Sequence, residues 1–339
     1  MRPRARSVVA LALGLSLSSS GCAFFNFLGR VAERSAENVS ARLEARGRAV
    51  AEPLIEAGEI WRETLAHPLA SEGFRPQDEY LLGRQVSAQL LQRYPHRRWD
   101  LVETEAGIVA GPRLSYLQIL AQIVLEGARL SQPGAEGTQL RERFPTALRV
   151  AVVESEAPDA FAAPGGFVIL STGMLSLAQD EEELAAVLAH ELAHVTLAHG
   201  LAAVDQGRHG AALGKLIEGV EAGRSALKGR PSELSEAVAA LAGDIAQRLE
   251  AGYAPEWELA ADQRAALTLE ALGYDPQGLV EVIARIPPGD DLEGHSRSHP
   301  PPARRLKALR ASLGERAPPP GVGVRAARFR QVMEGATGR

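Results

Sequence analysis

The run DEEELAAVLAHELAHVTLAHG, from Asp180 to Gly200, constrains the fold more than any other stretch of this 339-residue chain. Asp180 is placed as an N-cap, Glu183 follows at capping-box spacing, apolar residues recur with the helical period, and Gly200 supplies a stop. The acids at 181–183 read as charge that favours a helix N-terminus rather than as a second metal site. Mid-helix, His190 and His194 are four residues apart. At about 100° per residue they lie on one face, one turn from each other, where two imidazoles can share a tetrahedral Zn²⁺. Glu191 falls beside them. His199 stands about 140° round the helix from His194, which keeps it off that metal and reads it as a satisfied or solvated histidine.

A metal with two histidine ligands needs a third, and a second helix offers it. Pro255 opens EWELAADQRAALTLEAL and Gly273 closes it, with Glu258 and Asp262 at i,i+4 on one face. Glu258 is the candidate third ligand; Asp262 is placed to accept the outer N–H of a ligand histidine and fix its tautomer. Further helices are expected from Pro76, over 112–130 and over 233–250. Between them stand two short β-rich runs, LRVAVVES (148–155) and GFVILST (166–172), bounded by turn residues. These patterns predict an α+β fold, mostly helical, with a small antiparallel sheet next to the HExxH helix. Gly165 and Gly166 read as the turn feeding the second strand, since no phosphate-binding glycine pattern follows. With a formal net charge of -5, the chain has no basic field for nucleic acid.

The N-terminus has the layout of an export signal: Arg2, Arg4 and Arg6, an apolar core from Val8 to Leu17, then small residues ending at Cys22. That core is about ten residues, short of the ~20 that span a bilayer. Cys22 is the chain's single cysteine, so no intramolecular disulfide forms. The stretch resembles a bacterial lipoprotein signal, with Ser19 where leucine is usual. This implies a signal over 1–21, acylation of Cys22 and a membrane tether through the acyl chains, on the outer membrane facing the periplasm; the alternative is cleavage nearby and a soluble periplasmic protein. Residues 22–75 are expected to form a helical stalk, and 313–339, with APPPG at 317–321, a flexible tail.

HELAH followed by ELAAD resembles the gluzincin metallopeptidases of the CAAX prenyl protease and HtpX type, and in particular their periplasmic lipoprotein branch of the LoiP and BepA type. Three segments agree: EYLLGRQVSAQLL (79–91), AFAAPGGFVILSTGML (160–175) and HPPPARRL (299–306). Asp159 stands where many relatives have Asn and Leu306 where Ile is common, while 200–254 matches no known motif. The resemblance implies a zincin-like domain over 76–312 holding one Zn²⁺ per chain, with Glu191 as general base. It implies that His299 stabilises an oxyanion or rides on a loop closing over zinc, and it puts Arg305 on the family arginine. It also implies that the strand through Gly166, Phe167, Val168 and Ile169 is the edge on which extended substrate lies. The expected substrates are unfolded or misfolded envelope polypeptides, with the outer-membrane assembly machinery as a further partner. The competing expectation is a chaperone-like or scaffolding lipoprotein with a latent zinc site.

Overall fold

A computed structural model describes residues 76–94, 99–104, 107–132, 140, 148–202, 231–287 and 302–334. The export segment, Cys22, the stalk and His299 lie outside the described residues.

The chain order is helix α1 (Pro76–Arg93), a hairpin of β1 (Leu101–Thr104) and β2 (Gly107–Ala110), α2 (Pro112–Leu130), β3 (Arg149–Val153), β4 (Ala160–Ala163), β5 (Phe167–Ser171), α3 (Thr172–Leu177), α4 (Glu181–Thr196), α5 (His199–Ala202), α6 (Pro231–Ala251), α7 (Pro255–Leu272), α8 (Gln277–Arg285), α9 (Pro302–Leu313) and α10 (Val322–Met333). The α+β expectation holds, with one refinement. The sheet is mixed, in the order β3-β5-β4, antiparallel between β4 and β5 but parallel between β3 and β5.

This sheet is the middle layer of three. On one face Val150, Val152, Ala162, Val168 and Leu170 join a core with α2, α4, α7, α8, α9 and α10. On the other, Val153, Phe161, Ala163 and Ile169 pack with Leu82, Val86 and Leu90 of α1 and Leu241, Ile245 and Leu249 of α6. Strand side chains alternate between faces, so a run that is apolar throughout, such as FVILS, is what a strand covered on both sides requires. Gly165 and Gly166, at φ 72° and 85°, make the tight β4–β5 turn; a Cβ on Gly165 would come within 2.7 Å of the Tyr80 Cα.

The two edges of the sheet differ. On the β3 side α2 reaches two outward carbonyls: Gln118 donates to the Val150 carbonyl at 2.8 Å and Gln122 to that of Leu148, just before the strand, at 3.0 Å. β4 has no strand on its outer side among the described residues. The amide of Ser171 donates to the Asp159 carbonyl at 2.9 Å, so by antiparallel alternation Phe161 and Ala163 exchange bonds with β5 while the backbone groups of Ala160 and Ala162 point outward.

α4 begins as the sequence predicts, with the Asp180 carboxylate accepting from the Glu183 amide at 3.0 Å. The Glu183 carboxylate reaches one residue further back than a capping box does, accepting from the Gln179 amide at 2.8 Å. The other end departs from expectation. α4 ends at Thr196, four residues before Gly200, and Ala198 takes a left-handed conformation at φ 56° before α5 starts. α7 runs as predicted from Pro255 to Gly273, which caps it at φ 74° while the Tyr274 amide returns to the Leu269 carbonyl at 2.9 Å.

The expectation of a flexible tail from 313 fails over 322–333, which form α10 packed on α4. Its attachment is ionic: Arg328 Nε donates to Glu181 at 2.7 Å, Arg325 pairs with Glu182, and Phe329 is buried. Glu181 also accepts from the hydroxyls of Tyr116 at 2.8 Å and Tyr274 at 2.6 Å, and Glu183 pairs with Arg285 of α8. The acidic run is thus buried and neutralised by arginines from later elements.

Candidate metal centre

α4 and α7 cross so that the face bearing His190 and His194 meets the face bearing Glu258 and Asp262. Small residues at the crossing, Ala186, Ala189, Ala193, Ala261 and Ala265, are buried and let the backbones approach. The Nε2 atoms of His190 and His194 are 3.0 Å apart, and Glu258 lies 3.4 Å from the first and 3.5 Å from the second. Donors about 2.0–2.1 Å from a tetrahedral ion stand about 3.3–3.4 Å from one another, so two imidazoles and a carboxylate at these separations fit a zinc-type site. This is the one such group among the described residues.

Each histidine is held from behind by a different partner. His190 Nδ1 lies 3.0 Å from the Asp262 carboxylate. Asp262 in turn accepts two bonds from Arg305, at 2.9 Å from Nε and 2.6 Å from Nη2, and Arg305 Nη1 lies 3.3 Å from Glu258. Arg305, an ordinary surface charge by sequence alone, is only 4% exposed. Burial and Arg305 act to lower the His190 pKa, yet hydrogen bonds to Asp262 and Glu258 hold it up at about 9. The same negative field favours a bound cation. Asp262 sits below its ordinary value because Arg305 and His190 outweigh the cost of burying a carboxylate.

His194 turns its Nδ1 toward Nδ1 of His199 at 2.9 Å. The His194 ring stacks on Tyr253 with centroids 4.3 Å apart and planes 16° apart, and His199 stacks on Trp257 at 4.9 Å and 12°. Burial pushes the His199 pKa down to about 3. The Tyr253 ring is partly accessible while its hydroxyl is buried; burial raises its pKa, with Glu191 and Glu258 adding to the rise. Glu191 is itself buried on α4, within electrostatic reach of both Tyr253 and Arg305.

The structure therefore gathers His190, His194, Glu258, Asp262 and Arg305, with Glu191 adjoining. His299 and Cys22 lie outside the described residues. Gly166, Phe167, Val168 and Ile169 require a correction: β5 is hydrogen-bonded on both sides and has no edge to offer, so a peptide cannot add to it. The edge without a strand partner among the described residues belongs to β4, whose four residues are buried beside α4 and α6. The reading of His199 as a satisfied histidine off the metal holds, but sequence reasoning missed its partner His194, and it missed Tyr253 and Trp257. A continuous helix would point His199 away from His194, and only the break at Ala198 brings it back. Trp257 carries no ligating group, and neither it nor Tyr253 signals anything by spacing.

Two packed helices, one carrying HExxH and the other a buried glutamate reaching the same point, define a metallopeptidase-type centre. Residues 135–313, more than half of the chain, match peptidase family M48, and the chain belongs to that family. It is 33% identical over 153 residues to the putative beta-barrel assembly-enhancing protease of Vibrio cholerae, covering 42% of this chain and 28% of that protein. With metalloprotease YcaL of Escherichia coli it shares 30% over 156 residues, 45% of this chain and 57% of the relative. With the Escherichia coli beta-barrel assembly-enhancing protease it shares 27% over 182 residues, 49% of this chain and 34% of the relative. In each comparison the chain spans less than two thirds of the relative's own length.

Proposed function

We propose that the protein is a zinc-dependent endopeptidase, and the observation that carries this reading is the His190–His194–Glu258 donor cluster with Glu191 one residue along the same helix. Bound there, zinc supplies Lewis acidity toward the scissile carbonyl and toward water. Glu191 takes a proton from the attacking water and delivers it to the leaving amine nitrogen. Asp262 holds His190 with its proton on Nδ1, leaving Nε2 to the metal, and Arg305 holds Asp262 ionised and fixed. Arg305 is thereby a positioning residue, since its fork is engaged by Asp262 and Glu258. His299 is retained as a residue facing the reaction or closing over it.

Extended substrate adds to the outer edge of β4, pairing with the backbone of Ala160 and Ala162. β4 runs along α4, and its following residue, Pro164, borders Gly200 just beyond His199. Backbone pairing reads exposure more than sequence, which suits unfolded or unassembled chains. The names of two of the relatives above point to beta-barrel assembly. Together with the export-signal pattern and Cys22, they support quality control of envelope polypeptides by a protein tethered to the outer membrane. No helix among the described residues is long and apolar enough to cross a membrane.

The test is metal content together with cleavage of unfolded casein by the chain in mild detergent, wild type beside Glu191→Gln. One zinc per chain in both, with cleavage lost in the variant by about a thousandfold or more, supports the reading. Zinc without cleavage in either transfers support to the scaffolding alternative; no zinc in the wild type removes both.

A further inference from the structure

The two histidines of the donor cluster are supported unequally. Behind His190 stand a carboxylate and an arginine; behind His194 stands a neutral-type partner, the imidazole of His199, with Nδ1 facing Nδ1 at 2.9 Å. Two ring nitrogens at that distance need one proton between them, because two N–H groups would clash and two lone pairs would repel. His194 directs Nε2 toward Glu258 and His190, where a ligand nitrogen must be bare, so its proton sits on Nδ1. His199 Nδ1 is then the acceptor. The His199 ring is 3% exposed and lies flat on Trp257, so its acceptor is aimed by packing.

The backbone supports the same assignment. Ala198, a residue with a Cβ, adopts φ 56° in the link between α4 and α5. A left-handed non-glycine residue is tolerated where the surroundings hold it, and such residues gather at functional sites. Here the turn delivers His199 to His194.

We propose that His199 is a positioning residue of the metal centre: its Nδ1 fixes the Nδ1–H tautomer and the ring orientation of His194, and Trp257 holds the His199 plane. This rests on the metal-site reading above and goes beyond it. An outer partner of this kind governs metal affinity by about 10–100-fold.

The test compares the whole chain as wild type, His199→Phe, which keeps the stack on Trp257 and removes the acceptor, and His199→Asn, which keeps an acceptor near the position of Nδ1. Zinc affinity is measured by competition with a chromophoric chelator. The expected result is a 10–100-fold loss in His199→Phe and recovery to within about fivefold of wild type in His199→Asn. Equal affinity in all three, or equal loss in both variants, overturns the proposal. A second measurement needs no variant: long-range ¹⁵N–¹H NMR of the wild-type histidines should show His194 protonated on Nδ1 and His199 on Nε2, and the reverse assignment overturns the proposal. A wild type that binds no zinc sinks the metal-site reading itself, a distinct outcome from zinc bound equally by all three proteins.

Discussion

At the scale of single residues, the centre combines groups whose roles were visible in spacing with groups that were not. His190, His194, Glu258 and Asp262 were legible because the helical period alone places them in pairs one turn apart. His199 was not, because its position depends on a backbone break that no pattern announces. Two predictions belong here. Ala198→Gly removes a left-handed strain that exceeds the entropy cost of glycine, so the variant should be more stable by about 0.5–1 kcal/mol in urea unfolding. The second concerns pH. His199 in the folded chain protonates near 3, against about 6.5 when unfolded. Below 6.5 the unfolded chain therefore takes up a proton that the folded one refuses, and stability falls as pH drops from 6.5 toward 3. The loss from this group is about 3 kcal/mol between pH 6.5 and pH 4. In chelator-treated protein, His199→Phe should flatten the pH dependence over that window; an unchanged slope assigns it to other groups.

At the scale of elements, α10 was hidden from sequence reading for a physical reason. Its segment VGVRAARFRQVM fully buries only Phe329, with Val332 and Met333 partly packed against the core. Its attachment uses arginines whose acidic partners lie 143 and 147 residues earlier in the chain. Short-range periodicity cannot register such pairs. Removing Arg328 leaves Glu181, which has no exposure, with two tyrosine hydroxyls in place of a counter-charge. Arg328→Met should cost about 1–3 kcal/mol, below the full penalty of an uncompensated buried ion because Arg328 is partly in water. Urea unfolding measures this, and unchanged stability would show that the pair is only superficial. The helix N-terminus locked by these bonds is the one that carries HELAH two turns further on, so the C-terminal element belongs to the domain that holds the centre.

At the scale of the whole molecule, the sequence disclosed the α+β class and both β-rich runs, yet misassigned the edge. Two apolar runs fix that strands exist but not their order, and AFAA, the third strand, is too short and too rich in alanine to show a β pattern. The order β3-β5-β4 puts the most apolar run in the middle, where both faces and both edges are covered. A test follows from the outward amide of Ala162. Ala162→Pro removes that donor while leaving the bonds that Phe161 and Ala163 make to β5, as proline is tolerated on edges. Its expected effect is a drop of about tenfold in kcat/KM for unfolded substrate, carried mainly by KM, with zinc content unchanged. Unaltered kinetics would mean that substrate lies elsewhere.

Gln118 and Gln122, which bond two outward carbonyls on the β3 side of the sheet, carry a consequence for how the protein meets its own kind. A margin that a helix already engages is a poorer template for a further strand, which hinders end-to-end growth of the sheet on that side. The margin without a strand partner among the described residues, β4, runs along α4, which carries His190 and His194. If substrate pairs with β4 as proposed, a neighbouring copy that unravelled and docked there would be met as a substrate rather than as a partner.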